Sequence, residues 1–263
     1  MRSVSSVLIA LGLLATFKPA DAIFRPGYGG GGHRPPSSYH HGGGEEDCKT
    51  SSSAPATTTA TTPSTTTVKP APKCPAGWET LARAPTEANG NRSPYCMKIL
   101  FSETPILIQS GQSRCQAENS NAVMTMMESE GERAFVATQL YNTLASWGRK
   151  SGAIAVDGVR VKNCVSKDRA VLDGPDCGPT KSYVLTNHNT NPNFFFNNWA
   201  QNEPSANAWT YDIEECNQFA IDSKNVNRTA RFNDFYCKMD VAPNDPTNTV
   251  YWNFGVLCGM YQQ

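Results

Sequence analysis

The chain has 263 residues, with 23 Lys and Arg set against 23 Asp and Glu, so its formal net charge is zero. That balance excludes the basic excess of a nucleic-acid binder and gives no electrostatic reason to seek an anionic membrane as partner. Nine cysteines without a single C-x-x-C pair argue for disulfides rather than a zinc ribbon or a thioredoxin-type redox site.

Arg2 precedes an apolar run over 7–17, and Ala20-Asp21-Ala22 places small residues at the spacing of a signal-peptidase site. Residues 1–22 therefore predict a cleaved secretory leader and a secreted, extracellular protein. The run is shorter than the ~20 apolar residues of a membrane span, and no later segment approaches that length. Residues 23–73 read as a spacer. Their first part is rich in Gly, Pro and His; His33, His40 and His41 suit a transition metal, but composition alone explains them. From Thr50 to Thr67, 13 of 18 residues are Ser or Thr, a composition that cannot offset its ordering entropy and that resembles an O-glycosylated stalk.

A folded domain is expected over 74–263. Cys74-Pro75-Ala76-Gly77-Trp78 and Tyr95-Cys96 lie close enough for a disulfide-closed N-terminal hairpin. Apolar positions over 113–127 predict an amphipathic helix around Cys115. Ser129-Glu130-Gly131-Glu132 has the form of a capping box, and Val136, Leu140 and Leu144 then recur every four residues as one apolar stripe. The period changes at Ala153–Val156, where Asp157-Gly158 predicts a type I′ turn into Val159–Val161. A long polar region follows with Cys164 and Cys177 as local partners, and residues 250–258 predict a strand ending at Cys258. Two early helices, late strands and a long loop region give an α+β fold.

These segments, in this order, resemble the C-type lectin-like family. The opening Cys74-Pro75-x-Gly77-Trp78 with Tyr95-Cys96 is similar to the N-terminal extension of its long form. Cys115, the stretch Asn121–Ser129 and Glu132-Arg133-Ala134-Phe135-Val136 resemble its two helices and their connector, and Phe196-Asn197-Asn198-Trp199-x-x-x-Glu203-Pro204 resembles the approach to its ligand motif. The resemblance implies two helices, two small antiparallel sheets and a long loop region. It also implies Cys74–Cys96, Cys115–Cys258 and Cys216–Cys237 bridges, leaving Cys164–Cys177 as an extra one.

The same resemblance implies a Ca²⁺ site at Glu203, Ser205, Glu214, Asn233 and Asp234, with a cis Glu203–Pro204 bond. Ca²⁺ takes six to eight oxygens, so protein ligands leave positions for sugar hydroxyls, and the Glu-first order points to mannose-type ligands. Glu203, Ser205, Glu214 and Asn233 are the expected hydroxyl partners, with Trp209 and Tyr211 as the exposed aromatics beside them. Ser205 departs from the family pattern: its hydroxyl replaces an amide carbonyl and supplies no NH₂ donor. Against this stands the reading in which Asn233 and Asp234 cap a turn and the acids are solvated.

The expected partner is a carbohydrate or glycoprotein. The alternative is a Ca²⁺-independent protein-binding or structural domain that has lost sugar binding. No enzyme is expected, because His188 is the only histidine of the domain and no G-x-S-x-G, H-E-x-x-H or phosphate-cradling glycine loop occurs. Asn227-Arg228-Thr229 is a glycosylation sequon, and Asn91-Arg92-Ser93 is a second that Pro94 follows. Eight cysteines can pair inside the domain, which leaves Cys48 for a homodimer bridge.

Overall fold

A computed structural model describes residues 73–86, 92, 94–210, 212–241 and 247–262. The leader, the stalk with its histidines and Cys48, and Asn91 and Tyr211 lie outside these residues. Among those described, no helix is long and apolar enough to cross a membrane.

The main sheet runs β1 (Glu79–Leu81), β2 (Tyr95–Phe101), β10 (Asn253–Tyr261), β4 (Ser151–Arg160), β8 (Cys216–Asp222) and β9 (Arg231–Phe235). Two antiparallel sets, β1–β2–β10 and β4–β8–β9, are joined by the parallel contact of β10 with β4. Short β3 (Val123–Met124) adds to β10, and β5 (Tyr183–Val184) adds to β4. A separate two-stranded sheet pairs β6 (Ala208–Trp209) with β7 (Asp212–Ile213). The architecture is the expected α+β one.

Helix α2 (Glu130–Ser146) begins where the capping signal sits. The Ser129 hydroxyl accepts the Glu132 amide at 3.2 Å. Glu132 reaches one residue further back than a capping box requires, accepting from the Glu128 amide. Its stripe Val136, Leu140 and Leu144 is buried against Ile154, Phe219, Phe254 and Leu257. On the other side, α1 (Gly111–Glu118) brings Cys115 into a second cluster with Ile108, Met124, Val256 and Cys258. All four expected disulfides close: Cys74–Cys96, Cys115–Cys258, Cys164–Cys177 and Cys216–Cys237.

Three local expectations are corrected. The helix predicted over 113–127 ends at Glu118, because Asn119 is extended and its side chain accepts the Asn121 amide in a turn. Asp157-Gly158 does not reverse the chain. It forms an irregularity within β4, between Val156 and Val159, with Gly158 at φ 114°. The Asp157 carboxylate is buried and accepts amides from Thr186 and Asn187, so its polarity serves a long-range contact. Finally, Thr249–Tyr251 forms a 3₁₀ turn, and the last strand starts at Asn253 and runs past Cys258.

Candidate functional site

Four segments converge on the residues named by the ligand motif. The Glu203–Pro204 bond is cis, and the flanking Asn202 and Ala206 have φ of 68° and 51°. The left-handed turn at Ala206 aims two consecutive amides at one carboxylate: Ser205 N lies 3.0 Å from Asp234 Oδ1 and Ala206 N 2.8 Å from Oδ2. Asn207 and Glu214 form the base of the β6–β7 hairpin, each amide bonding the other residue, through the Asn207 carbonyl and the Glu214 carboxylate. Asn233 and Asp234 come from β9, which the Cys216–Cys237 bridge ties to β8. Glu203, Ser205, Glu214 and Asp234 are thereby brought together: the Ser205 hydroxyl donates to Glu214 Oε2 at 2.9 Å and lies 3.4 Å from Asp234 Oδ1. Trp209 is 41 % exposed on the hairpin that rises from this base. Phe232 and Phe235 are core, and half-buried Trp199 packs against Tyr183 and Phe195.

Three residues that the motif does not contain complete the site. Arg160, at the end of β4, places Nη2 2.6 Å from Asp234 Oδ2 and 2.8 Å from the Tyr183 hydroxyl. Its Nε donates to the Glu214 carbonyl at 3.0 Å. Tyr183 donates to Asp234 Oδ2 at 3.2 Å. Arg228 spans the front, with Nη2 3.2 Å from Glu203 Oε1 and Nη1 3.4 Å from Asn233 Oδ1. Asp234 and Glu203 thus each meet a guanidinium, while the Glu214 carboxylate accepts from Ser205 and Asn207. Burial, reinforced by the neighbouring Asp234, pushes Glu203 up to about 8 and Glu214 up to about 9. Glu203 Oε2 is buried without a hydrogen-bond partner.

This arrangement does not fit a calcium ion, which takes six to eight oxygens free of competing donors. Both oxygens of Asp234 are already engaged by amide, hydroxyl and guanidinium donors. Arg228 bonds Glu203 and Asn233, two further members of the ligand set. Ser205 directs its only proton at Glu214, and no group of three or more His, Cys, Asp or Glu is poised to hold a metal among the described residues. Arg160, Tyr183 and Arg228 were not singled out from sequence. Arg160 is 74 positions from Asp234 and lies in a strand whose alternation gives no hint of it. Arg228 stood inside the sequon, where only Asn227 drew notice.

The family described as C-type lectin domain-containing protein 141/158 matches residues 80–261. C-type lectin domain-containing protein 141 of Caenorhabditis elegans is 44 % identical over 199 residues, covering 71 % of this chain and 66 % of its own length. The chain thus spans just under two thirds of that relative. Protein 158 of the same organism is 33 % identical over 188 residues, covering 71 % of this chain and 88 % of its own. Similar solved structures include a complex of SPL-1 with GlcNAc, at 16 % identity and TM-score 0.40 over 71 % of this chain and 94 % of that one. A calcium-independent type II antifreeze protein is similar at 13 % identity and TM-score 0.40, over 73 % and 98 %. With two relatives above 30 % identity and a family match spanning nearly the whole folded region, this chain belongs to the C-type lectin domain-containing 141/158 family.

Proposed function

We propose that the chain is a secreted recognition protein, with a leader over 1–22, a stalk over 23–73 and a ligand-binding domain over 74–263, and that its domain takes a carbohydrate or glycoprotein ligand without Ca²⁺. One observation carries this reading: guanidinium groups stand where a cation would, Arg160 on Asp234 and Arg228 across Glu203 and Asn233. With Asp234 and Glu203 each meeting a guanidinium and Glu214 held by Ser205 and Asn207, the loop holds its shape with no metal to organise it. The surface it presents has an apolar platform in Trp209 and polar edges in Asn207 and Arg228, which suit the faces and hydroxyls of a saccharide. Thermal unfolding and retention on immobilised mannan, each in millimolar Ca²⁺ and in chelator, test the proposal. Equal melting temperatures and equal retention are expected.

A second reading, Ca²⁺-dependent recognition of mannose-type hydroxyls through Glu203, Ser205, Glu214, Asn233 and Asp234, is favoured by one detail. Glu203 Oε2 is buried with no donor, and an uncompensated carboxylate oxygen is costly. If Ca²⁺ raises the melting temperature of the wild type, or chelator elutes it from mannan, this second reading replaces the first. The variant Arg228→Ala removes one competing cation and is the sensitive form for that comparison.

A further inference from the structure

Beside the Glu203–Ser205 loop lies a concavity of about 340 Å³, walled by Arg160, Arg169, Leu172, Gly178 and Pro204, with the Asp173 carboxylate also in its lining. Arg160 is only 5 % exposed, and its partners account for Nε and Nη2: the Glu214 carbonyl, the Tyr183 hydroxyl and Asp234. Nη1 has no acceptor among the described residues, yet it is not among the buried polar atoms sealed from solvent. Arg160 is among the residues that wall this cavity. Burying a guanidinium is costly unless its donors are met, so Nη1, met only by solvent, is the donor of Arg160 still open to an acceptor that arrives with a ligand.

The second cation defines what that acceptor is. Arg169 donates to the Ser205 carbonyl at 3.1 Å and pairs with Asp173 at 2.5 Å, the two side chains being 62 and 63 % exposed. So exposed a pair is worth little and exchanges partners readily, whereas the guanidinium of Arg160 is fixed from three sides. We infer that this cavity binds an oxoanion, a carboxylate or sulfate carried on a saccharide. It would accept from Arg160 Nη1 and draw Arg169 away from Asp173, while Leu172 and Pro204 meet the apolar part of the sugar ring. Because Arg169 also holds the Ser205 carbonyl, the cavity and the loop share one tether. The inference deepens the recognition proposed above by naming a charged ligand class, and it does not rest on calcium independence.

Calorimetric titration of the whole chain with glucuronate, inorganic sulfate and glucose, in chelator, tests it. Saturable binding of glucuronate or sulfate is expected, with glucose inert and with affinity falling as salt rises; the tighter of the two anions identifies which group the site takes. Gly178→Leu adds bulk at the cavity wall, where a Cβ meets nothing within 4 Å, and should abolish anion binding at an unchanged melting temperature. Arg169→Gln should weaken binding about tenfold, the loss of one charge-assisted hydrogen bond, and Asp173→Asn should strengthen it by freeing Arg169. Anion binding no tighter than that of glucose, or binding indifferent to Gly178→Leu, overturns the inference. Either result leaves mannan retention untouched, so failure here is separable from failure of the reading of the front face.

Discussion

Arg83 meets Glu132 side-on, with Nε 2.7 Å from Oε1 and Nη2 2.9 Å from Oε2, and the two side chains are 0 and 1 % exposed. The remaining donors are also met: Nη1 by the Asn189 carbonyl and Thr190 hydroxyl, Nη2 by the Met126 carbonyl. The guanidinium lies 3.7 Å from the centre of the Tyr95 ring. One arginine therefore fastens the segment after β1 to the first turn of α2 and to the loop at 189–190. Removing Arg83 leaves the Glu132 charge unpaired, and removing Glu132 leaves Arg83 only the more distant Glu128 at 3.7 Å, so we predict that Arg83→Ala loses about 3–5 kcal/mol of stability and Glu132→Ala about 3 kcal/mol. The double variant should lose less than the sum. Denaturant unfolding measures all three, and a single-variant loss below about 1 kcal/mol, the worth of an exposed pair, would refute the buried clamp.

The carboxylates of the ligand loop make stability depend on pH. Glu203 and Glu214 have an ordinary value of 4.5 and stand at about 8 and about 9 in the fold, chiefly through burial and then through Asp234. An acid whose folded value is raised holds its proton longer in the native state than in the unfolded one. Stability therefore falls as pH rises from 4.5 through 8 to 9, and levels off above that range. We predict a melting temperature that declines across this window, and a flatter profile for the double variant Glu203→Gln, Glu214→Gln. A melting temperature that rises with pH over the same window would count against these shifts.

Asn227 is exposed and its side-chain amide donates only to Gln201 Oε1, at 2.9 Å, while the Thr229 hydroxyl of the sequon donates to the Asp222 carbonyl. A glycan here would sit one residue from Arg228 at the edge of the ligand loop. We predict that Asn227 is modified when the chain passes through a secretory route, read as a mass shift on glycosidase treatment that Asn227→Gln lacks. An unshifted parent protein removes the site.

The four disulfides account for the eight cysteines of the domain, which leaves Cys48, outside the described residues, as the odd one. We predict a homodimer bridged through Cys48, whose two domains gain about 10²–10⁴-fold in avidity on a surface where both engage. Non-reducing electrophoresis decides: wild type and Cys48→Ser migrating alike as monomers would end the idea.

Much of the fold was legible because its signals are local or stem from ordered cysteines. The Ser129 cap and the Val136–Leu140–Leu144 stripe lie within one helix and its first flanking residue, and both appear in the structure. Asp157-Gly158 misled for the same reason. As a dipeptide it favours a hairpin turn, but Thr186 and Asn187, some thirty positions away, claim the aspartate and keep β4 continuous. The acids of the loop were legible in the sequence, and their hydrogen-bond partners were not. Ser205 bonds Glu214 and Asp234 in the structure, and Glu203 meets Arg228. The guanidinium groups that meet Asp234 and Glu203 come from β4 and from the sequon loop, and no local pattern links an arginine to a carboxylate across 74 positions.

The place of β10 has a consequence for biosynthesis. This strand, the latest in the chain, sits between β2 and β4 and also receives β3, and all nine of its residues are buried. A ribosome delivers β2, α1, α2 and β4 long before the strand that joins them, so during synthesis β2 and β4 have open edges facing the gap it will fill. Its Cys258 must then find Cys115 across 143 positions, a long-range closure of the kind that slows folding. Until then the nascent chain exposes unpaired strands of the kind that recruit chaperones and aggregate. A chain cut short before Asn253 would remain in that state, carrying every residue of the ligand loop yet having no finished sheet to hold them.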